Sequence, residues 1–185
     1  MKLFSIQVGL PKTIEFNGRV IVTSIYKEPV TGPVMLRTYN LEGDGQADLT
    51  VHGGRDKAVY GYGLDAYAWW VANRPQDEYP SGAFGENLTF NSLPENQIHI
   101  GDTYSLGDAI VQVSEPRFPC YKLNAKFADK TMGKTFMQSQ HSGVYFRVLK
   151  EGKIGVNDEL KLMRRDEHSP TVQHAFLNRP VKPSA

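Results

Sequence analysis

The chain alternates apolar and polar positions in short runs rather than in long helical stripes. Residues 2–8, 19–26, 34–40, 58–61, 97–100, 109–114, 143–149 and 159–162 are rich in Val, Ile, Thr, Tyr and Phe, and Gly, Pro, Asn and Asp separate them. That pattern predicts short strands joined by tight turns. Gly107-Asp108, set between two apolar stretches, predicts a hairpin, and residues 150–153 read as a turn after a strand. One segment has a clear helical period: Leu64, Tyr67, Ala68 and Val71 fall at i, i+3, i+4 and i+7, and Asn73-Arg74-Pro75 ends the run. Two further helical windows, 122–128 and 131–140, follow Cys120. Many short strands and few helices predict a mainly β fold of barrel type with a few short helices. The polar stretch from Ser169 onward is broken by Pro180 and Pro183 and is expected to fray.

Size and charge narrow the function classes. With 185 residues and a hydrophobic fraction of 40%, one domain can bury a core without disulfides or metal staples. Lys and Arg number 21 against 20 Asp and Glu, and a balanced chain lacks the excess positive charge that drives coating of nucleic acid or membranes. Neither partner is expected. A single cysteine cannot close an intrachain disulfide, no apolar run approaches the roughly 18 residues of a membrane span, and the first residues read as a strand rather than a signal peptide. A cytoplasmic location is the expectation.

Four stretches carry candidate chemistry. In Ser114-Glu115-Pro116-Arg117-Phe118-Pro119-Cys120-Tyr121 the cysteine lies on a loop at a strand end. Pro116 and Pro119 stiffen that loop, and Arg117 would favour the thiolate, the form that acts as nucleophile or metal ligand. A lone cysteine is as often a small buried hydrophobe, so the loop alone leaves its role open. Around Gly53-Gly54, His52, Arg55 and Lys57 cluster where bare amides can approach an anion, although a glycine turn with solvated charges has the same composition. Glu86 and Asn87 follow Gly85 and fit a pocket rim or a hydrogen-bonded strand entry. Within residues 144–149, alternation sets Tyr145, Arg147 and Leu149 against Val144, Phe146 and Val148, and Arg147 needs an anionic partner if buried. The five histidines show no zinc-type spacing with one another or with Cys120.

Taken in order, residues 47–54, 82–88, 100–102, 114–123 and 143–149 resemble the MOSC domain family, named for the C-terminal domain of molybdenum cofactor sulfurase, and most of all its stand-alone bacterial members. The resemblance spans residues 2–163, and Asn157 replaces a glycine common in the closing Gly-Asp turn. It implies a MOSC β-barrel over residues 1–165, with a polar tail at 166–185, and a thiol, here Cys120, that binds the molybdenum of the pterin cofactor or carries sulfur for it. A soft thiolate suits molybdenum, and a pterin phosphate calls for Arg, Lys or backbone amides. Arg117, Arg147, Arg55, Lys57, Gly53, Gly54 and Asn87 are the candidate cofactor ligands. The expected function is a molybdenum-dependent oxidoreductase that reduces small N-hydroxylated compounds, with His52 or Glu86 supplying the proton. A small-molecule substrate and an electron-donor protein are the expected partners, and pyridoxal phosphate is expected to play no part. A sulfur carrier working through a Cys120 persulfide and a non-catalytic cofactor-binding module are the alternatives. Cys120, Arg117, Arg147 and the 52–54 turn are expected to share one pocket.

Overall fold

In the computed structural model, which describes residues 1–47 and 53–179, the alternating runs become strands. In chain order they are β1 (Leu3–Val8), β2 (Lys12–Phe16), β3 (Arg19–Thr23), β4 (Glu28–Pro29), β5 (Val34–Leu36) and, after a 3₁₀ turn at Arg55–Lys57, β6 (Val59–Gly63). Helix α1 (Leu64–Asn73) leads to β7 (Leu88–Phe90), β8 (Thr103–Leu106) and β9 (Ala109–Pro116). Helices α2 (Tyr121–Lys126) and α3 (Met132–Ser139) precede β10 (Val144–Lys150), β11 (Gly152–Ile154), β12 (Lys161–Arg164) and α4 (Val172–Leu177). Strand content of 34% against 19% helix bears out the mainly β class.

Eight strands form one sheet in the order β12-β8-β9-β10-β6-β7-β1-β4, with β2–β3 and β5–β11 as separate pairs. Every pairing in the large sheet is antiparallel except β6 with β7. A parallel pair cannot be closed by a tight turn, and α1 lies in the connection between its two strands. The hairpin predicted at Gly107-Asp108 joins β8 to β9, with Leu106 opposite Ala109. Gly107 adopts φ +53, a left-handed conformation that glycine takes without a Cβ penalty. Asn157 is also left-handed at φ 75, which Asn tolerates better than most residues.

The two faces of the sheet bury different cores. Val144, Phe146 and Val148 of β10 join Leu3, Ile6, Leu88 and Phe90 in a mainly aliphatic cluster. On the other face Tyr60 and Tyr62 of β6 meet Trp70, Phe84, Phe136 and Phe176 in an aromatic one. The indole N–H of Trp70 donates to the Tyr62 hydroxyl at 2.8 Å, so the buried polar edge of that ring is satisfied.

Among the described residues the pairings give an open strand order in which no closed barrel is detected, and the sheet curls far enough that Leu3 N donates to Asp158 O and Leu160 N to Met1 O, both at 2.8 Å. Two expectations are corrected. Residues 97–100 form a turn with a lone bridge from His99 to Thr171, because Gln97 N and Ile98 N donate back to Pro94 O. Residues 171–177 do not fray. Thr171 caps α4 by accepting from His174 N, and Val172 and Phe176, one turn apart, are buried. Among the described residues no helix is long and apolar enough to cross a membrane.

A buried acid pins the entry to β10. Glu95 accepts from Ser142 N at 2.9 Å, Ser142 Oγ at 2.6 Å and Gly143 N at 2.9 Å. Burial nevertheless raises its pKa from 4.5 to about 7, and those three donors offset only part of the shift. The folded protein therefore holds a proton that the unfolded chain releases between those values. Stability from this group is highest at acid pH and falls by about 3 kcal/mol as pH rises towards neutral. Urea denaturation across that range should show the decline, and Glu95→Gln should flatten it; equal slopes in both proteins would assign the proton elsewhere.

Candidate functional site

Strand β9 ends at Pro116 and the chain runs through Arg117-Phe118-Pro119-Cys120 into α2. Cys120 is extended at φ −125°, ψ 171°, and half-buried. From below, Arg117 anchors the loop. It is 6% exposed, its guanidinium carbon lies 4.7 Å from the Tyr60 ring centroid and 5.6 Å from that of Phe136, and Nη1 donates to Phe84 O. Burial alone would lower its pKa, but Tyr60, Tyr145 and Cys120 reverse this and hold it above the usual value. Arg117 thus stays charged beside the thiol. From the far side, Phe118 stacks on Phe176 of α4, centroids 5.3 Å apart.

The 82–86 segment faces both ways. Its amides point to Glu86, with Gly82 N donating at 2.6 Å and Phe84 N at 3.1 Å, and Tyr67 and Thr89 hydroxyls complete four donors to that carboxylate. Its carbonyls point to cations: Gly82 O accepts from Lys126 Nζ at 2.5 Å and Phe84 O from Arg117. Gly85, at φ +81, makes the reversal feasible, since a Cβ there would lie 2.7 Å from Ile25 Cγ1. Burial lowers the Lys126 pKa to about 8, against the pull of Glu86.

Cys120 opens into a pocket whose lining includes Lys27, Asp44, Lys57, Tyr60, Asn87, Arg117, Lys122 and Tyr145. Lys27 pairs with Asp44 at 2.5 Å, and burial lowers the lysine pKa while Asp44 opposes the shift. Asp44 also accepts from Asn87 Nδ2 at 2.9 Å and Gly9 N at 2.7 Å. Tyr60 and Tyr145 stand 5.2 Å apart as one wall, and burial raises both phenols above their usual pKa, so both keep their protons near neutral pH. Lys57 lies 3.6 Å from Glu115 at the rim.

Of the residues expected from the sequence, Cys120, Arg117, Lys57 and Asn87 share this pocket. Arg147 does not line it among the described residues; it pairs with Asp56 at 3.0 Å and so braces the turn that carries Lys57. Gly53, Gly54 and exposed Arg55 also stand outside the described lining, and Gly54 at φ +84 simply enters that turn. Glu86 is fully buried beneath four donors and outside the described lining, not at the rim, so it is not placed to touch a ligand. His52 lies outside the described residues. Sequence reasoning missed Lys27, Asp44, Tyr60, Lys122 and Tyr145 as pocket groups. Lys122 stands two residues after the cysteine and Tyr145 on the Arg147 face of β10, signals that were present; Lys27 and Asp44 carry none.

Comparison with known proteins agrees with this frame. The MOSC domain profile matches residues 48–161. The chain belongs to the MOSC domain family. This MOSC protein is 45% identical over 179 residues to YflK of Bacillus subtilis (strain 168), covering 96% of the chain and 79% of YflK. It is 37% identical over 166 residues to a protein named as a reductase from Gibberella moniliformis, covering 88% of the chain and 29% of that longer protein. The crystal structure of YiiM from Geobacillus stearothermophilus superposes with a TM-score of 0.77 at 34% identity, covering 96% of this chain and 84% of that one.

Glu86 is thus placed to hold the pocket floor together. Glu86→Ala should orphan the buried Gly82 and Phe84 amides, leave the Tyr67 and Thr89 hydroxyls only their longer bonds to Pro80 O and Gln7, and remove the anion near Lys126, lowering stability by about 3–5 kcal/mol in urea denaturation. A loss under about 1 kcal/mol would show that the cluster does not depend on it.

Proposed function

We propose that this MOSC protein binds the molybdenum–pterin cofactor through Cys120 and reduces small N-hydroxylated compounds. The observation that carries the reading is the pocket itself: a half-buried thiol opening onto a lining that, among the described residues, includes Lys27, Lys57, Arg117 and Lys122 against the single carboxylate Asp44, with a tyrosine wall. That donor set suits such a group, because it pairs one soft ligand with several cations for phosphate and ring faces for a flat heterocycle. Among the described residues no group of three or more His, Cys, Asp or Glu could hold a metal ion, so the thiol would serve a metal that brings its other ligands with it. The name of the Gibberella relative supports a reductive role over a sulfur carrier.

When bound, the cofactor would supply a two-electron redox couple, fed by an electron-donor protein. The chain's own residues bind and orient. Arg117 keeps a cation beside the thiol, and Lys57 offers positive charge at the mouth. Tyr60 and Tyr145 present neutral rings. Reducing an N–OH group to N–H consumes two electrons and two protons and releases water; His52 is the proposed proton donor, since Glu86 is sealed.

Elemental and pterin analysis of protein made in a host that synthesises the cofactor tests the reading. The wild type should carry molybdenum and pterin, and Cys120→Ser should lose the metal. A hydroxyl stays protonated near neutral pH and is a poor ligand for a soft metal. Because the site is part-exposed, the same variant should differ from wild type by less than about 1 kcal/mol in stability. Metal retained by Cys120→Ser, or absent from the wild type, would refute the proposal.

A further inference from the structure

Lys122 differs from every other cation of the pocket. It is 7% exposed and lines the pocket beside Cys120, yet its ammonium makes no hydrogen bond or ion pair with any described residue. Lys27 has Asp44 at 2.5 Å, Arg117 has Phe84 O and two aromatic rings, and Lys126, behind the wall, has Ile25 O at 3.0 Å and Gly82 O. The one carboxylate among the described lining residues, Asp44, is already engaged by Lys27, Asn87 and Gly9. The Lys122 stem is buried and its ammonium opens into the pocket without a partner among the described residues, an arrangement that an anionic ligand can complete.

We infer that Lys122 is the principal anion ligand of this pocket and that its natural partner is the phosphate of an organic monoester. A carboxylate offers one negative charge, whereas a phosphate monoester offers close to two and three acceptor oxygens. Lys122, Arg117 and Lys57 present more than one positive charge to whatever enters. The Tyr60–Tyr145 wall gives an organic ring something to pack on, which a free anion lacks. The inference rests on the cofactor reading only for the source of the phosphate; the ammonium's need for an anion does not depend on it.

Titration calorimetry on metal-free protein tests the assignment, with inorganic phosphate, phenyl phosphate and acetate as probes. Wild type should bind phenyl phosphate more tightly than inorganic phosphate, and acetate least. Lys122→Met should weaken both phosphates by at least about tenfold, and Lys122→Arg should restore binding to within about threefold. Because Met keeps the buried apolar stem, Lys122→Met should melt no lower than wild type in phosphate-free buffer and lose the rise in Tm that phosphate gives the wild type. Wild-type phosphate affinity in Lys122→Met would overturn the assignment, and tighter binding of inorganic phosphate would overturn the monoester. Cys120→Ser should keep phosphate affinity. The two proposals therefore fail separately: wild type without molybdenum but with Lys122-dependent phosphate binding refutes the cofactor alone, and molybdenum-loaded wild type with Lys122-independent binding refutes this inference alone.

Discussion

Charge in a low-dielectric site has to be answered locally, and among the described residues lining the pocket of Cys120 the cations outnumber the carboxylates. Asp44 answers Lys27, and Glu86, wholly buried, lies within electrostatic range of Lys27 and Lys126. Backbone dipoles make up part of the difference. The 82–86 segment turns its N–H groups towards Glu86 and its C=O groups towards Lys126 and Arg117, so one peptide stretch solvates both signs. Polar groups arranged in this way are rigid, because moving any one of them leaves a neighbour unpaired.

The sheet explains why these groups meet. Parallel pairing of β6 with β7 puts Tyr60 next to Asn87, whose main chain accepts and donates across that edge: Asn87 N donates to Tyr60 O at 2.8 Å, and Gln7 N donates to Asn87 O at 2.8 Å. Asn87 then reaches Asp44 with its side chain. On the other flank β10 lies between β6 and β9, so Tyr145 stands beside Tyr60 and opposite Glu115, at the start of the cysteine loop. A thiol loop, an aromatic wall and an acid–amide pair thus come from four neighbouring strands and the turns at their ends.

Local pattern made the frame legible. The i, i+3, i+4, i+7 set at Leu64 corresponds to α1, with ends at Leu64 and Asn73, and the proline-stiffened loop does present its cysteine after β9. What local pattern could not convey was partnership at a distance. Glu86 has the composition of a rim residue, but its four donors come from α1, the 82–84 loop and β7, none of which a window of neighbours reveals. Arg147 looked like a ligand for an outside anion and found Asp56, far off in sequence, instead. Strand β2 was missed because only Ile14 and Phe16 in it are apolar, and its order comes from pairing with β3. In α4 the two apolar residues that matter sit in a polar stretch too short to show a period.

Helix α4 has a temporal consequence. Phe176 is the ring on which Phe118 stacks, and the guanidinium of Arg179 lies 4.1 Å from the Phe118 centroid on the same loop. A nascent chain on the ribosome can pair β9 with β10 well before these residues emerge. The cysteine loop, however, cannot take up its finished packing until they do. The loop that carries Cys120 is therefore finished only once a segment more than fifty residues downstream has joined it.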